Sequence, residues 1–259
     1  MKRRLFTFGC SFTDYKWQTW ADIIGTQFEE FQNWGKSGAG NFFISSSLYE
    51  CHSINKITKD DVVLIMFSSI DRFDYINQNS DFETNGSIYG KHHGLYGDFV
   101  FNKWSEEFGL YNSWFSITSA KQLLDSIGCD YQLMKSFNFN QIDGPRAREY
   151  EKLNNLNSRV DICLDLINEM IVGESLTEFH TKKNQHYYFD DLPSKIDGHP
   201  PISIYLEWIK QNMKKYYVKE MDIICEDWEK DIPKKITDIY KSNKKNFIDF
   251  SQSKNNIIL

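Results

Sequence analysis

Two short clusters, far apart in the chain, hold residue types that can together do acyl-transfer chemistry. Phe8-Gly9-Cys10-Ser11-Phe12-Thr13-Asp14 sets a serine on a glycine-bearing turn at the end of an apolar run, and Asp197-Gly198-His199-Pro200 offers an acid and a base. A serine hydroxyl is a weak nucleophile near neutral pH. It needs an adjacent general base, and donors that receive the negative charge developing on the attacked carbonyl. In that role His199 takes the Ser11 proton, Asp197 holds the imidazole in the right tautomer, and backbone N–H groups at the turn meet the oxyanion. Taken singly, each residue has a plainer use: Ser11 as a helix N-cap, His199 as a polar loop residue.

Positioning these groups requires a strand that ends at the serine. Arg4 to Phe8 predicts a buried strand entering the Gly9 turn, and Trp17 to Gly25 has Trp17, Trp20, Ala21 and Ile24 at helical spacing before a glycine stop. Phe28 to Trp34 reads as a second strand, Lys36-Ser37-Gly38-Ala39-Gly40-Asn41 as a small-residue loop, and Phe42 to His52 as a helix. In Asp61 to Phe67, the run Val62 to Met66 is continuously apolar, as in a strand covered on both faces. Alternating strands and helices predict a parallel sheet with right-handed crossovers, with Ser11 at its carboxyl edge, where open α/β folds bind ligands.

The alternation fails between Phe73 and Asn112, a stretch too long for an ordinary connection and expected as an insertion or lid. It resumes with a helix over Trp114 to Ser126, a Gly128 stop and a strand from Asp130 to Met134. Further helices are expected over Glu149 to Ile171, Ile202 to Tyr216 and Lys219 to Tyr240. The simplest partition is one domain over 1–259, decorated by the 73–112 insertion and a helical extension over 217–259.

Composition narrows the partners. The net charge of −6 offers no basic stripe for nucleic acid, and the lysines between Lys210 and Lys254 alternate with acids as on a solvated helix face. The five cysteines Cys10, Cys51, Cys129, Cys163 and Cys225 contain no C-x-x-C pair, which indicates neither a zinc site nor a disulfide set and fits a reducing compartment. After Met1-Lys2-Arg3-Arg4 the apolar stretch is too short for a signal peptide, and no window reaches a membrane span, so a cytoplasmic protein is expected. Aromatic residues make up 16% of the chain, mostly core material, with some available to line a cleft.

With these blocks in view, the chain resembles the SGNH or GDSL hydrolase family. That resemblance implies a three-layer α/β/α, flavodoxin-like parallel sheet and the chemistry of esterases, lipases and carbohydrate deacylases acting without a cofactor. The family's first block is Gly-Asp-Ser after the first strand; here it is Gly9-Cys10-Ser11, with cysteine in place of the acid. Its second block places an oxyanion glycine after the second strand, which Gly38 matches. The third block departs. Where the family has Gly-x-Asn-Asp this chain reads Phe67-Ser68-Ser69-Ile70-Asp71-Arg72, so Ile70 stands in the place of a donating asparagine. Ser68, Ser69 or Asn41 would have to substitute, or the oxyanion hole has backbone donors alone, from Ser11 and Gly38. The last block, usually Asp-x-x-His before proline, is one residue shorter in Asp197-Gly198-His199-Pro200, which leaves Asp190 or Asp191 as a fallback acid.

The resemblance covers the first 75 residues and the segment around 197 to 212. It implies a small-molecule or glycan ester as substrate, and the aromatic-rich insertion and the breadth of the family favour an acyl group on a carbohydrate. An O-acyltransferase and a non-catalytic glycan- or protein-binding member remain as alternatives. His92-His93, His180 and His186 lack metal-ligand spacing. Cys10 is expected to pack away from the cleft, Gly38 and Gly40 also suit plain turns, and Arg72 either pairs with Asp71 or holds a substrate carboxylate.

Overall fold

The computed structural model describes residues 3–88, 103–139, 158–171, 173–189 and 192–230, with the single positions 232, 236, 237 and 239. Its centre is a parallel sheet of β1 (Arg4–Phe8), β2 (Glu30–Asn33), β3 (Val62–Phe67) and β6 (Asp130–Lys135), in the order β2-β1-β3-β6. Leu5 faces Val62 and Phe8 faces Ile65 in the β1–β3 register, while Thr7 faces Asn33 across β1–β2. All six residues of β3 are buried, as its unbroken apolar run requires.

From β1 the chain moves to β2 on one side and then crosses to β3 on the other. Right-handed crossovers therefore put α1 (Trp20–Gly25) and α2 (Asn41–Asn55) on opposite faces. In one helical layer α2 packs on α3 (Glu106–Ile127), and α3 on α4 (Ser158–Met170). In the other, α1 packs on α6 (Ile202–Asn212) and α7 (Glu220–Glu229), with α5 (Leu176–Lys183) against α6. The result is the three-layer α/β/α arrangement with a flavodoxin-like strand order. The strand order reverses at β1, so the loop carrying Ser11 opens into the crevice that this reversal leaves at the carboxyl ends.

Several boundaries differ from the sequence expectation, each for a local reason. The helix expected from Trp17 begins at Trp20, because a capping box stops it there: Ala21 N–H donates to the Thr19 hydroxyl at 3.3 Å and Thr19 N–H to the Asp22 carboxylate at 2.9 Å. Trp17 instead sends its indole N–H to the Pro200 carbonyl at 3.0 Å. Much of the expected insertion is regular: β4 (Arg72–Ile76) and β5 (Phe82–Ser87) form an antiparallel hairpin, and α3 begins at Glu106 behind its Ser105 cap, well before Trp114. The helix expected over Ile202 to Tyr216 ends at Asn212 and continues after Met213 as a 3-10 turn, Lys214–Tyr216. The expected helix start at Glu149, and most of the chain beyond Lys230, lie outside the described residues.

A second small hairpin, β7 (Tyr188–Phe189) with β8 (Leu192–Ile196), leads directly into Asp197. The segment after it is pinned at the head of α6, where Ser203 N–H donates to Glu229 Oε2 at 2.8 Å and Ile202 N–H to the Tyr187 hydroxyl at 3.2 Å. A glutamate from α7 thus supplies the cap that Pro201 cannot, and its burial raises the Glu229 carboxyl pKa.

Candidate active site

Ser11 sits on a turn that only glycine allows. A Cβ on Gly9 would lie 2.0 Å from Thr13 Oγ1 and 3.0 Å from the Met66 carbonyl oxygen, so a larger residue would push the turn off β3. The loop closes through Thr13 N–H and Asp14 N–H, both donating to the Cys10 carbonyl at 2.8 and 3.1 Å. Asn33 ties it to the end of β2, donating to the Thr13 carbonyl at 2.9 Å and accepting from Gly35 N–H at 3.0 Å. Ser11 is not a helix cap, since Thr19 caps α1. Cys10 is fully buried with its sulfur 3.8 Å from Ser136 Oγ, on the interior side of the turn.

The acid and base meet despite their shortened spacing. Asp197 Oδ1 accepts the His199 backbone N–H at 2.8 Å and lies 2.8 Å from His199 Nδ1, so one oxygen closes an Asx-type turn and holds the ring. A carboxylate only accepts, so Nδ1 carries the hydrogen and Nε2 of the neutral ring is left to accept a proton. The Tyr15 hydroxyl donates to the other oxygen, Oδ2, at 3.0 Å. The Tyr15 ring stacks on the imidazole at 3.5 Å between centroids, and Phe12 lies against it at 5.1 Å. The residues one and four places past Ser11 therefore seat the His199 ring. Among the described residues the Ser11 hydroxyl makes no hydrogen bond, to His199 or otherwise; in free enzymes such bonds are often long and tighten only around substrate. Asp190 and Asp191 lie outside the described residues.

The second loop meets the first through Lys36 N–H, which donates to the Gly9 carbonyl at 3.0 Å. Lys36 to Ala39 form a turn closed by Ala39 N–H on the Lys36 carbonyl at 3.0 Å, with Gly38 at its third position at φ 80°. That is the type II position that calls for glycine. Among the described residues neither the Ser11 nor the Gly38 N–H is engaged in a hydrogen bond.

Of the side-chain donors considered, Asn41 is already committed. Its amide donates to the Ser68 carbonyl at 3.0 Å and to Ser113 Oγ at 2.9 Å, and accepts from Ser68 N–H at 2.7 Å. Ser68 and Ser69 are buried, and their hydroxyls have no partner among the described residues. Ile70 is a core residue, only 1% exposed, with its carbonyl oxygen 2.3 Å from where a Cβ on Gly109 of α3 would stand.

No protein-family model matches the chain, and no curated protein matches it. Solved structures do. A GDSL-like lipase from Bacteroides thetaiotaomicron is similar over 83% of this chain and 89% of its own, at 17% identity and a TM-score of 0.40. A psychrotrophic esterase from Pseudoalteromonas is similar over 83% and 98%, at 12% identity and a TM-score of 0.44. An acetylxylan esterase from Geobacillus stearothermophilus is similar over 84% and 95%, at 13% identity and a TM-score of 0.42.

The likeness, one of fold, is to a GDSL-like lipase and to esterases.

In chain order, Ser11 follows β1, Gly38 follows β2, Ile70 follows β3, and Asp197 with His199 stands before α6. Sequence reasoning missed two residues of this site. Tyr15 gave no signal, because its partners lie more than 180 residues downstream. Asp74, on β4, accepts Gly40 N–H at 2.8 Å and Phe43 N–H at 2.9 Å, capping α2 and fixing the loop that carries Gly38. Burial pushes its carboxyl up to about 6 even though both N–H bonds favour the charged form.

The remaining histidines are elsewhere. His180 Nε2 pairs with the Gln185 carbonyl at 2.7 Å, and its ring is 4.6 Å from that of His186; burial lowers the His180 pKa. His92 and His93 lie outside the described residues. Among the described residues no three His, Cys, Asp or Glu side chains are grouped to hold a metal ion, and no helix is long and apolar enough to cross a membrane.

Proposed function

We propose that the chain is a serine esterase that removes an acyl group from a small ester through an acyl-serine intermediate, with Ser11, His199 and Asp197 as its triad. The observation that carries this reading is the 2.8 Å contact of Asp197 Oδ1 with His199 Nδ1, in a ring seated on Phe12 and Tyr15, the neighbours of Ser11. His199 Nε2 takes the Ser11 proton as Oγ bonds to the acyl carbon, and the oxyanion accepts from the Ser11 and Gly38 N–H groups. Collapse of this intermediate breaks the ester bond, and the proton on His199 passes to the departing alcohol. Water, deprotonated by the same imidazole, then releases the acid and frees Ser11. Ser69 is a further candidate donor. Asn41, with both amide hydrogens committed, serves in this reading as a brace between α2 and the end of β3.

The substrate class we favour is an acylated carbohydrate, and the site of action the cytoplasm. Labelling with a fluorophosphonate probe tests the mechanism: one label per chain, lost in Ser11→Ala and His199→Ala, is expected. Absence of label on folded wild-type protein overturns it and favours a binding role for the same cleft. Acetate release from an acetylated saccharide, compared with and without an added saccharide acceptor, separates hydrolysis from transfer.

A further inference from the structure

Arg72 opens β4, directly after Ser68-Ser69-Ile70-Asp71, and its side chain reaches back to the loop that carries Gly38. One guanidinium N–H donates to the Ala39 carbonyl at 3.0 Å, beside the Gly38 turn. Its central carbon lies 5.4 Å from the centroid of Phe137, whose edge meets Phe12 at 5.3 Å, and Phe12 in turn meets His199 at 5.1 Å. Arg72 thus reaches the triad through two rings.

Guanidinium has five N–H donors and remains charged at any working pH. Here Ala39 takes one, and Nε is buried without a partner among the described residues. Of the two acids closest in sequence, Asp71 accepts from the Ser87 hydroxyl through Oδ2, and Asp74, which feels the Arg72 charge, is hydrogen-bonded to the N–H groups of Gly40 and Phe43. Among the described residues Arg72 makes no ion pair. Three and four positions earlier in the chain, the Ser69 and Ser68 hydroxyls are likewise buried without partners among the described residues. Unpaired buried donors are costly and rare in folded proteins, and the five positions 68–72 contribute three of them beside a single unpartnered acceptor, Asp71 Oδ1, an excess of donors suited to acceptor atoms from a ligand.

We infer that Arg72 binds a carboxylate on the substrate, making the preferred ester an anionic one such as an acylated acidic sugar. A planar fork of donors matches a carboxylate in two parallel hydrogen bonds, and the Phe137 face holds the fork flat while excluding water. This inference names the substrate class for the proposed esterase site and rests on that reading for its meaning, but its test involves no chemistry.

Calorimetric titration of full-length Ser11→Ala protein with glucuronate, with glucose and with inorganic phosphate provides that test. Glucuronate is expected to bind at least tenfold more tightly than glucose. The preference should collapse in an added Arg72→Gln change and survive in reduced form in Arg72→Lys, with melting temperatures confirming that all variants fold. Equal binding of the two sugars, no binding of glucuronate, or a preference that persists in Arg72→Gln overturns the assignment. Phosphate binding as tightly as glucuronate overturns the carboxylate in favour of a general oxoanion site. Loss of fluorophosphonate labelling in the wild type would concern Ser11 and leave this result standing.

Discussion

The rings of Tyr15 and His199 lie face to face, 3.5 Å between centroids and 19° from parallel, while the Tyr15 hydroxyl reaches past the imidazole to Asp197. One side chain therefore touches both the base and the acid. In the proposed reaction the imidazole becomes a cation when it takes the serine proton, and an aromatic face is a favourable neighbour for that charge. The hydroxyl keeps Asp197 Oδ2 occupied, so that Oδ1 remains with His199.

Tyr15→Phe keeps the face and removes the hydroxyl. A hydrogen bond to a charged group contributes about 1.5–3 kcal/mol, so kcat/KM on a simple aryl acetate should fall on the order of ten- to a hundredfold. Tyr15→Leu removes both contributions and should fall further. Equal losses in the two variants would take the ring face out of the mechanism, and unchanged rates in both would remove Tyr15 from it.

Gly38 allows a sharper structural test. Its φ of 80° is strained for any other residue, and a Cβ there would lie 2.2 Å from the Thr84 carbonyl oxygen of β5. Gly38→Ala must therefore displace either the turn or the β4–β5 hairpin. Strained backbone of this kind costs of order 1–3 kcal/mol, and the Gly38 N–H moves with it. We expect a lower melting temperature together with a loss of turnover on the order of a hundredfold, the typical effect of losing one oxyanion donor. A variant that is destabilised but fully active would show that the Gly38 N–H does not meet the oxyanion.

These residues also show how far the fold and the site can be read without coordinates. Strand β3 was legible because it is buried on both faces and so is continuously apolar, and β1 because Leu5, Phe6 and Phe8 supply a short buried apolar run before the Gly9 turn. The hairpin β4–β5 was not, since Arg72–Ile76 passes from half-buried to exposed with an aspartate, Asp74, at its one buried position and so shows no apolar run. The early start of α3 was hidden by the low apolar content of its first turn, Glu106 and Glu107. In the candidate site, Ser11, Asp197 and His199 stood out by type, and Gly38 only through the resemblance to the family's second block. Tyr15 and Asp74 act only through contacts made when distant segments close, and no local pattern announces those. Asn41 was legible as a polar residue near the cleft, but the two hydrogen bonds that engage its amide belong to the tertiary structure.

Asp74 makes the stability of the loop sensitive to pH. Its folded-state pKa of about 6 stands above the ordinary 3.8, because burial disfavours the charged form. Such a group binds its proton more tightly in the folded than in the unfolded chain, so its stabilising contribution is full below about pH 4 and is lost as pH rises toward 6. Other carboxylates shift the opposite way, Asp61 among them, so the comparison must be with Asp74→Asn. The stability of wild type relative to Asp74→Asn should decline between pH 4 and 6 and level off above, in denaturant unfolding at a series of pH values. A difference that is flat across this range would mean that Asp74 titrates as an exposed acid.

Ile70 invites an attempt to restore the donor that the GDSL-type pattern has in its place, and the packing argues against success. The side chain is buried in the core where β3 meets α3, and Gly109 is held to glycine by contact with the Ile70 carbonyl oxygen. In Ile70→Asn the amide enters that apolar site and loses water. Burying an amide without a partner costs roughly 1–3 kcal/mol by protein mutational measures, and removing the isoleucine adds a packing loss of similar size or more. The expected outcome is a melting temperature lower by several degrees or more and no gain in kcat. A stable Ile70→Asn variant with turnover raised tenfold or more would show that position 70 reaches the oxyanion after all, and that the fold can accommodate a donor there.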